Sequence, residues 1–293
     1  MTIDITAAAG FMAGHARQLD RRRFALLTGT GEPAAVLAAL EGYRNPDGGY
    51  GWGLEPDLRS ASSQPGGALH ALEALAELPP APQALALCDW LATATLPDGG
   101  LPFASPVPDP AACAPFWASA DPGTSSLQIT ACVAATAHRV AAHDPAVAAH
   151  PWLATATAYC LDAARAVDAG THALELAFTL HLLDAVHDTE PAAPALLDRL
   201  GALIPADGLL PVAGGSDGEA LRPLDVAPEP GRPVRALFTA EAVAADLDRL
   251  ACGQQPDGGW AVDYASYSPA AALEWRGHRT VWVLSTLRSN GMS

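Results

Sequence analysis

The chain has 293 residues, half of them hydrophobic and 16% charged, which excludes a disordered protein and leaves room for one large domain or two modest ones. Its formal charge is −16 and all 16 basic residues are arginine, so no basic surface offsets repulsion from nucleic acid. No apolar run reaches transmembrane length, the N-terminus lacks the basic leader and cleavage site of a signal peptide, and five cysteines form no CxxC pair. Together these features predict reduced thiols and a cytoplasmic location.

Taken in chain order, apolar periodicity predicts a helix near 5–18, then a helix over 33–44 that runs into the loop Asn45-Pro-Asp-Gly-Gly-Tyr50. A second helix follows at 64–78, and the pattern repeats: a helix over 82–95, the loop Leu96-Pro-Asp-Gly-Gly-Leu101, and a helix over 124–142. The next turn is degenerate, at Asp168-Ala-Gly170 between helices over 147–166 and 172–187. Helix 192–203 then ends at Pro205-Ala-Asp-Gly-Leu209. A Pro-, Gly- and acid-rich stretch, 211–236, predicts a long surface loop. The last unit is a helix over 238–253, the loop Gln255-Pro-Asp-Gly-Gly-Trp260, and a helix over 277–288.

The loop aspartates 47, 98, 207 and 257 are separated by 98 − 47 = 51, 207 − 98 = 109 and 257 − 207 = 50 residues, so the middle gap is close to two periods. Proline stops a helix, aspartate accepts backbone N–H bonds in a turn, and glycine tolerates positive φ, so each loop reverses the chain. The repeat is helix, turn, helix, and roughly six such hairpins can cover one another's apolar faces by closing into a ring. The expected fold is therefore all-α: a single α-α toroid of (α/α)6 type spanning 1–293.

The segment Cys252-Gly-Gln-Gln-Pro-Asp-Gly-Gly-Trp260 resembles the QW motif of squalene-hopene and oxidosqualene cyclases. Ser60-Ala-Ser-Ser-Gln-Pro-Gly-Gly-Ala-Leu-His-Ala-Leu72 is similar to the start of the inner helix that follows such motifs, as is Thr124-Ser-Ser-Leu-Gln-Ile-Thr-Ala131. The resemblance to the terpenoid cyclase and protein prenyltransferase β-subunit superfamily implies a toroid that folds a hydrophobic isoprenoid in its cavity. DxDD and DDxxD are both absent, and Ser62, Ser63 and Gln64 stand where DxDD would begin. His278 looks placed like the zinc-binding histidine of prenyltransferases, but no Asp-x-Cys accompanies Cys252, and neither a metal nor another cofactor is expected.

The candidate catalytic residues flank two loops. Glu55 and Asp57 follow the aromatic, glycine-rich Tyr50 and Trp52 and precede Arg59 and Gln64. A partly desolvated carboxylic acid there would have a raised pKa and could protonate an alkene or epoxide, with aromatic faces stabilising the cation. By repeat symmetry, Asp263, Tyr264, Tyr267, Trp275 and His278 occupy the same rim ahead of Trp282, with Asp263 or His278 as a second acid-base group. The bland alternatives are that Asp57 caps a helix and pairs with Arg59, and that Glu274 pairs with Arg276. His172, Glu175, His181, Asp184 and His187 recur along one predicted helix, where the i, i+3 pair 181 and 184 makes metal binding conceivable, but no HExxH or HxH spacing appears and a solvated face is the bland reading.

The expected function is acid-initiated cyclisation of an isoprenoid or polyene. A non-catalytic toroid that binds a hydrophobic ligand or a partner chain, and a carbohydrate-active enzyme, are the alternatives. Whether a second copy or a partner subunit accompanies the chain is left open.

Overall fold

A computed structural model describes residues 3–292, and it is predominantly α-helical. In chain order the helices are α1 (Ile5–His15), α2 (Gln18–Leu27), α3 (Pro33–Leu40), α4 (Pro65–Leu75), α5 (Pro82–Ala94), α6 (Pro115–Ala118) and α7 (Leu127–Ala141). They continue as α8 (Pro145–Ala148), α9 (Pro151–Ala163), α10 (Ala173–Ala185), α11 (Ala193–Gly201), α12 (Pro223–Val226), α13 (Ala240–Cys252) and α14 (Pro269–Ser289). Eight of them begin at a proline, whose fixed φ suits the first helical position and whose missing N–H is one that the helix leaves unpaired there anyway. Among the described residues, no helix is long and apolar enough to cross a membrane.

The chain divides into two compact units: Met1–Ala39 with Ile204–Ser293, and Leu40–Leu203. In the central unit α7 is the organising helix, packed against α4, α8, α9 and α10. Eleven of its fifteen residues are buried, which suits its Ala-, Val- and Thr-rich sequence. In the terminal unit α14 packs on α1, α2 and α13 around Phe11, Met12, Phe24, Leu250, Trp260 and Leu284.

The reversing loops share one construction. Asp47 Oδ1 accepts the Gly49 N–H at 3.0 Å and the Ser63 hydroxyl at 2.8 Å. Asp98 Oδ1 accepts the Gly100 N–H at 3.2 Å and the Ser125 hydroxyl at 2.6 Å. Asp257 Oδ1 takes the Gly259 N–H at 3.1 Å and, in place of a serine, the Arg276 guanidinium at 2.7 Å. Asp207 and Asp168 make the local half of this arrangement, to Leu209 N–H at 3.0 Å and Gly170 N–H at 2.9 Å. Asp168-Ala-Gly170 is thus the degenerate member that the spacing predicted. Gly48, Gly99 and Gly258 all lie near φ +93°, where a side chain would be strained.

The predicted helices are present with shifted ends, and three differences have physical causes. Helix α14 starts at Pro269 rather than near 277, because the Ser268 hydroxyl accepts the Ala271 N–H and Pro269 opens the first turn, so Trp275 and His278 lie within the helix. The stretch 211–236 is only partly a surface loop: it forms a two-residue hairpin, β1 (Leu210–Pro211) with β2 (Ala220–Leu221), and α12, where Leu224 and Val226 are buried. In the QW-like segment Gln254, not Gln255, reaches outward, bonding Asp4 N–H and C=O, while the Trp260 indole N–H caps Leu250 C=O at 2.8 Å.

Hydrogen bonding from Ser125, then from the Gly100 amide, holds the Asp98 carboxyl below its ordinary value. A depressed carboxyl stabilises the fold above the unfolded pKa and loses that contribution as pH falls. Asp98→Ala should cost about 1 kcal/mol in urea unfolding at neutral pH, and the difference from wild type should shrink below about pH 4. Equal midpoints at pH 7 would show that the loop does not depend on its aspartate.

Candidate functional site

The loop between Asp47 and Ser63 carries the first group of predicted residues, and its geometry is set by backbone pairing. Tyr50 C=O accepts the Gln64 N–H at 2.9 Å, and Trp52 N–H donates to Ser60 C=O at 2.7 Å. Gly51 and Gly67 are required by close approach, since a Cβ on either would lie within 2.4 Å of a carbonyl oxygen. The loop thereby turns Glu55 and Asp57 inward, where they are 6% and 5% exposed.

Both oxygens of Glu55 are engaged. Its Oε1 accepts the Asp57 N–H at 3.0 Å, and its Oε2 meets His70 Nε2 at 2.8 Å. The other ring nitrogen of His70, Nδ1, meets Glu73 Oε2 at 2.9 Å. An imidazole therefore bridges two carboxylates, supplied by the loop and by the i, i+3 neighbour on α4. Burial pushes the His70 pKa down, but the Glu73 charge and the hydrogen bonds to Glu55 and Glu73 outweigh it and carry the value up to about 9. Half-buried His138 on α7 is the contrast: it meets the Thr157 hydroxyl at 2.8 Å, and desolvation takes its pKa down to about 4.

An aromatic cluster lies alongside. Trp117 stacks on Phe103 with centroids 4.5 Å apart, and Phe116 leans on both. A Cβ on Gly66 would lie 3.4 Å from both the tip of the Trp117 ring and Glu55 Cγ, so this glycine lets indole and carboxylate stem converge at the start of α4. Cys132 of α7 is close enough to feel the Glu73 and Glu55 charges. Burial, reinforced by them, raises its thiol far above the ordinary range, so it is inert as a nucleophile.

The remaining predicted residues of this unit take different places. Tyr50 is fully buried and Trp52 is 59% exposed. Gln64 is buried and bonded on both sides, accepting the Ser105 N–H at 2.9 Å and donating to the Ser62 hydroxyl at 3.1 Å. Arg59 lies over Gly53.

In the terminal unit, Tyr264 meets Trp275 edge-on at 5.4 Å and Trp275 meets His278 edge-on at 5.7 Å. Trp282 lies under the Arg279 guanidinium at 4.1 Å, while Asp263 and Tyr267 are exposed. Arg276 pairs with Asp257 and covers the Phe11 ring at 4.5 Å. Asp263 and His278 therefore belong to one unit, and Glu55 and Asp57 to the other.

Sequence reasoning missed His70, Glu73 and Trp117. The legible signal for the first two was a polar i, i+3 pair on an otherwise Gly-, Ala- and Leu-rich helix.

The raised His70 pKa carries a sign. A histidine held above its unfolded value stabilises fully below about pH 6.5, and that stabilisation is lost as pH rises through about 9. His70→Gln, which takes the cation from buried Glu55 and half-buried Glu73, should cost roughly 3 kcal/mol at pH 6. The gap to wild type in chemical denaturation should narrow by pH 10. A gap that stays constant or widens with pH would contradict the bridge.

No protein-family model matches the chain, and no curated protein matches it. It is similar in fold to a protein from Actinoplanes known from a crystal structure, with a TM-score of 0.51 and 19% sequence identity over 98% of this chain and 90% of that one.

Proposed function

We propose that the hairpins are those of an α-α toroid of the terpenoid cyclase and prenyltransferase β-subunit kind, and that the chain cyclises a hydrophobic isoprenoid or polyene by proton addition. The observation that carries this reading is the Glu55–His70–Glu73 bridge, buried at Glu55 and His70, with buried Asp57 at its edge.

The residues divide the labour as follows. An imidazolium with a pKa of about 9 is a weaker acid than a carboxylic acid, so His70 holds charge rather than releasing a proton. Glu55 has both oxygens occupied as acceptors. Asp57, buried beside it, is assigned the role of proton donor, and Glu55 orients it through the Asp57 N–H. Two carboxylates and one imidazolium sum to −1, a charge that stabilises a cation developing beside them at low local dielectric. The Trp117 and Phe103 faces add cation–π attraction.

In the reaction, the Asp57 proton bonds to one alkene carbon, the π electrons close the ring, and a proton lost from the final cation restores neutrality. The product is an isomer of the substrate. The reading rests on residues of the central unit alone.

Incubation with squalene, farnesol and geranylgeraniol, read by gas chromatography–mass spectrometry, should yield a cyclic product of unchanged mass. Asp57→Asn should lower its formation at least about 100-fold. Glu55→Gln should lower it less, through lost orientation. Absence of any cyclised isomer, or Asp57→Asn turning over at the wild-type rate, would reject the assignment and favour a toroid that only binds its ligand.

A further inference from the structure

The three reversing loops with two consecutive glycines each rest on a helix through the same pair of contacts. Gly48 faces Ala86 C=O of α5 and Gly49 faces the Trp90 ring one turn on; a Cβ on either glycine would lie within 2.8 Å of those atoms. Gly99 and Gly100 meet Thr155 and Tyr159 of α9 at the same i, i+4 spacing. Gly258 and Gly259 meet Ala7 C=O and the Phe11 ring of α1, again i, i+4, with no room for a Cβ on either. In the first two loops the supporting helix comes later in the chain. The third draws its support from about 250 residues upstream.

A clasp holds α1 in that place. Gln254 Oε1 accepts the Asp4 N–H at 3.0 Å, and Gln254 Nε2 donates to Asp4 C=O at 2.8 Å and to Gly258 C=O at 2.9 Å. Arg276, bonded to Asp257, covers the Phe11 ring. Ala8, Phe11 and Met12 are the buried residues of α1, in one core with Leu250, Trp260 and Leu284.

The helix so firmly docked is itself softened. Gly10 and Gly14 lie inside α1 and are exposed, and a Cβ on either would meet nothing within 4 Å. Neither has a positive φ, so neither packing nor backbone calls for glycine there. Glycine weakens a helix interior relative to alanine, because its unfolded chain has more freedom to lose. The other two supporting helices, α5 and α9, contain no glycine.

We infer that α1 is a releasable strap: it opens as one piece together with the loop 254–260 that it supports, while α13 and α14 stay folded. A helix of 11 residues is marginal by itself, so α1 unravels once its contacts part. Its release frees the segment that leads to Asp263 and Tyr264 and gives those residues a closed and an open arrangement.

Hydrogen–deuterium exchange of the full chain under native conditions tests the strap. Amides 9–15 of α1 and those of Gln255, Gly258 and Gly259 should exchange at least tenfold faster than the amides of α13 and α14. Gly10→Ala combined with Gly14→Ala, which fills open space only, should slow the first set at least tenfold and leave α13 and α14 unchanged. Gln254→Ala should speed the first set alone. The inference is overturned if α1 exchanges in step with α14, or if the alanine pair slows both helices by the same factor, because α1 would then open only when the whole unit unfolds. It is equally overturned if the loop amides do not follow those of α1.

Discussion

The constraint on which the rest depends is the closure of each reversing loop by its aspartate. In the first repeat, Asp47 reaches across to Ser63 and closes the segment that carries Trp52, Glu55, Asp57 and Arg59. In the second, Asp98 reaches Ser125 and closes the segment with Phe103 and Trp117. In the terminal unit, Asp257 reaches Arg276 and closes the segment with Asp263, Tyr264 and Trp275. Each closure fixes two points of a loop whose interior would otherwise have to be ordered at the full entropic cost of a long connection. The interior is then free to carry residues chosen for chemistry rather than for turn formation.

This arrangement explains how an ion array comes to be buried in a chain with few charges. Withdrawing a buried and a half-buried carboxylate from water is costly unless a cation satisfies both. Glu73 and His70 are brought together by helical spacing alone, whereas Glu55 arrives only because its loop is closed and its turn is held by Asp57 N–H. The result is one imidazolium between two acceptors. The raised His70 value and the lowered His138 value follow from the same rule: a desolvated histidine keeps its proton where anions flank it and loses it where only a hydroxyl does.

The helical repeat was legible because its signal is local. Proline, aspartate and paired glycines recur at a fixed period, and each acts within its own turn, so even the degenerate loop at Asp168 could be placed. Glu55 and Asp57 were legible for a related reason: two acids directly after an aromatic glycine loop stand out in a chain that is 16% charged. The bridge itself was not, because the pairing of Glu55 with His70 spans fifteen residues and depends on where a loop closes. The positive φ of Trp52 was equally hidden, since nothing in the sequence of an aromatic between two glycines fixes its backbone. Ser268 explains the misplaced start of α14, because a capping serine before Pro269 is a helix signal that the apolar pattern further along obscured.

The account's central claim is that the loop aspartate organises the site, and hydrogen–deuterium exchange in Asp47→Ala tests it most directly. The account predicts that amides 49–64 lose protection while those of α7 keep theirs, which would show a loop released from an intact helical frame. Unchanged protection of 49–64 would contradict it, because the loop would then hold its shape without the bond from Asp47 to Ser63.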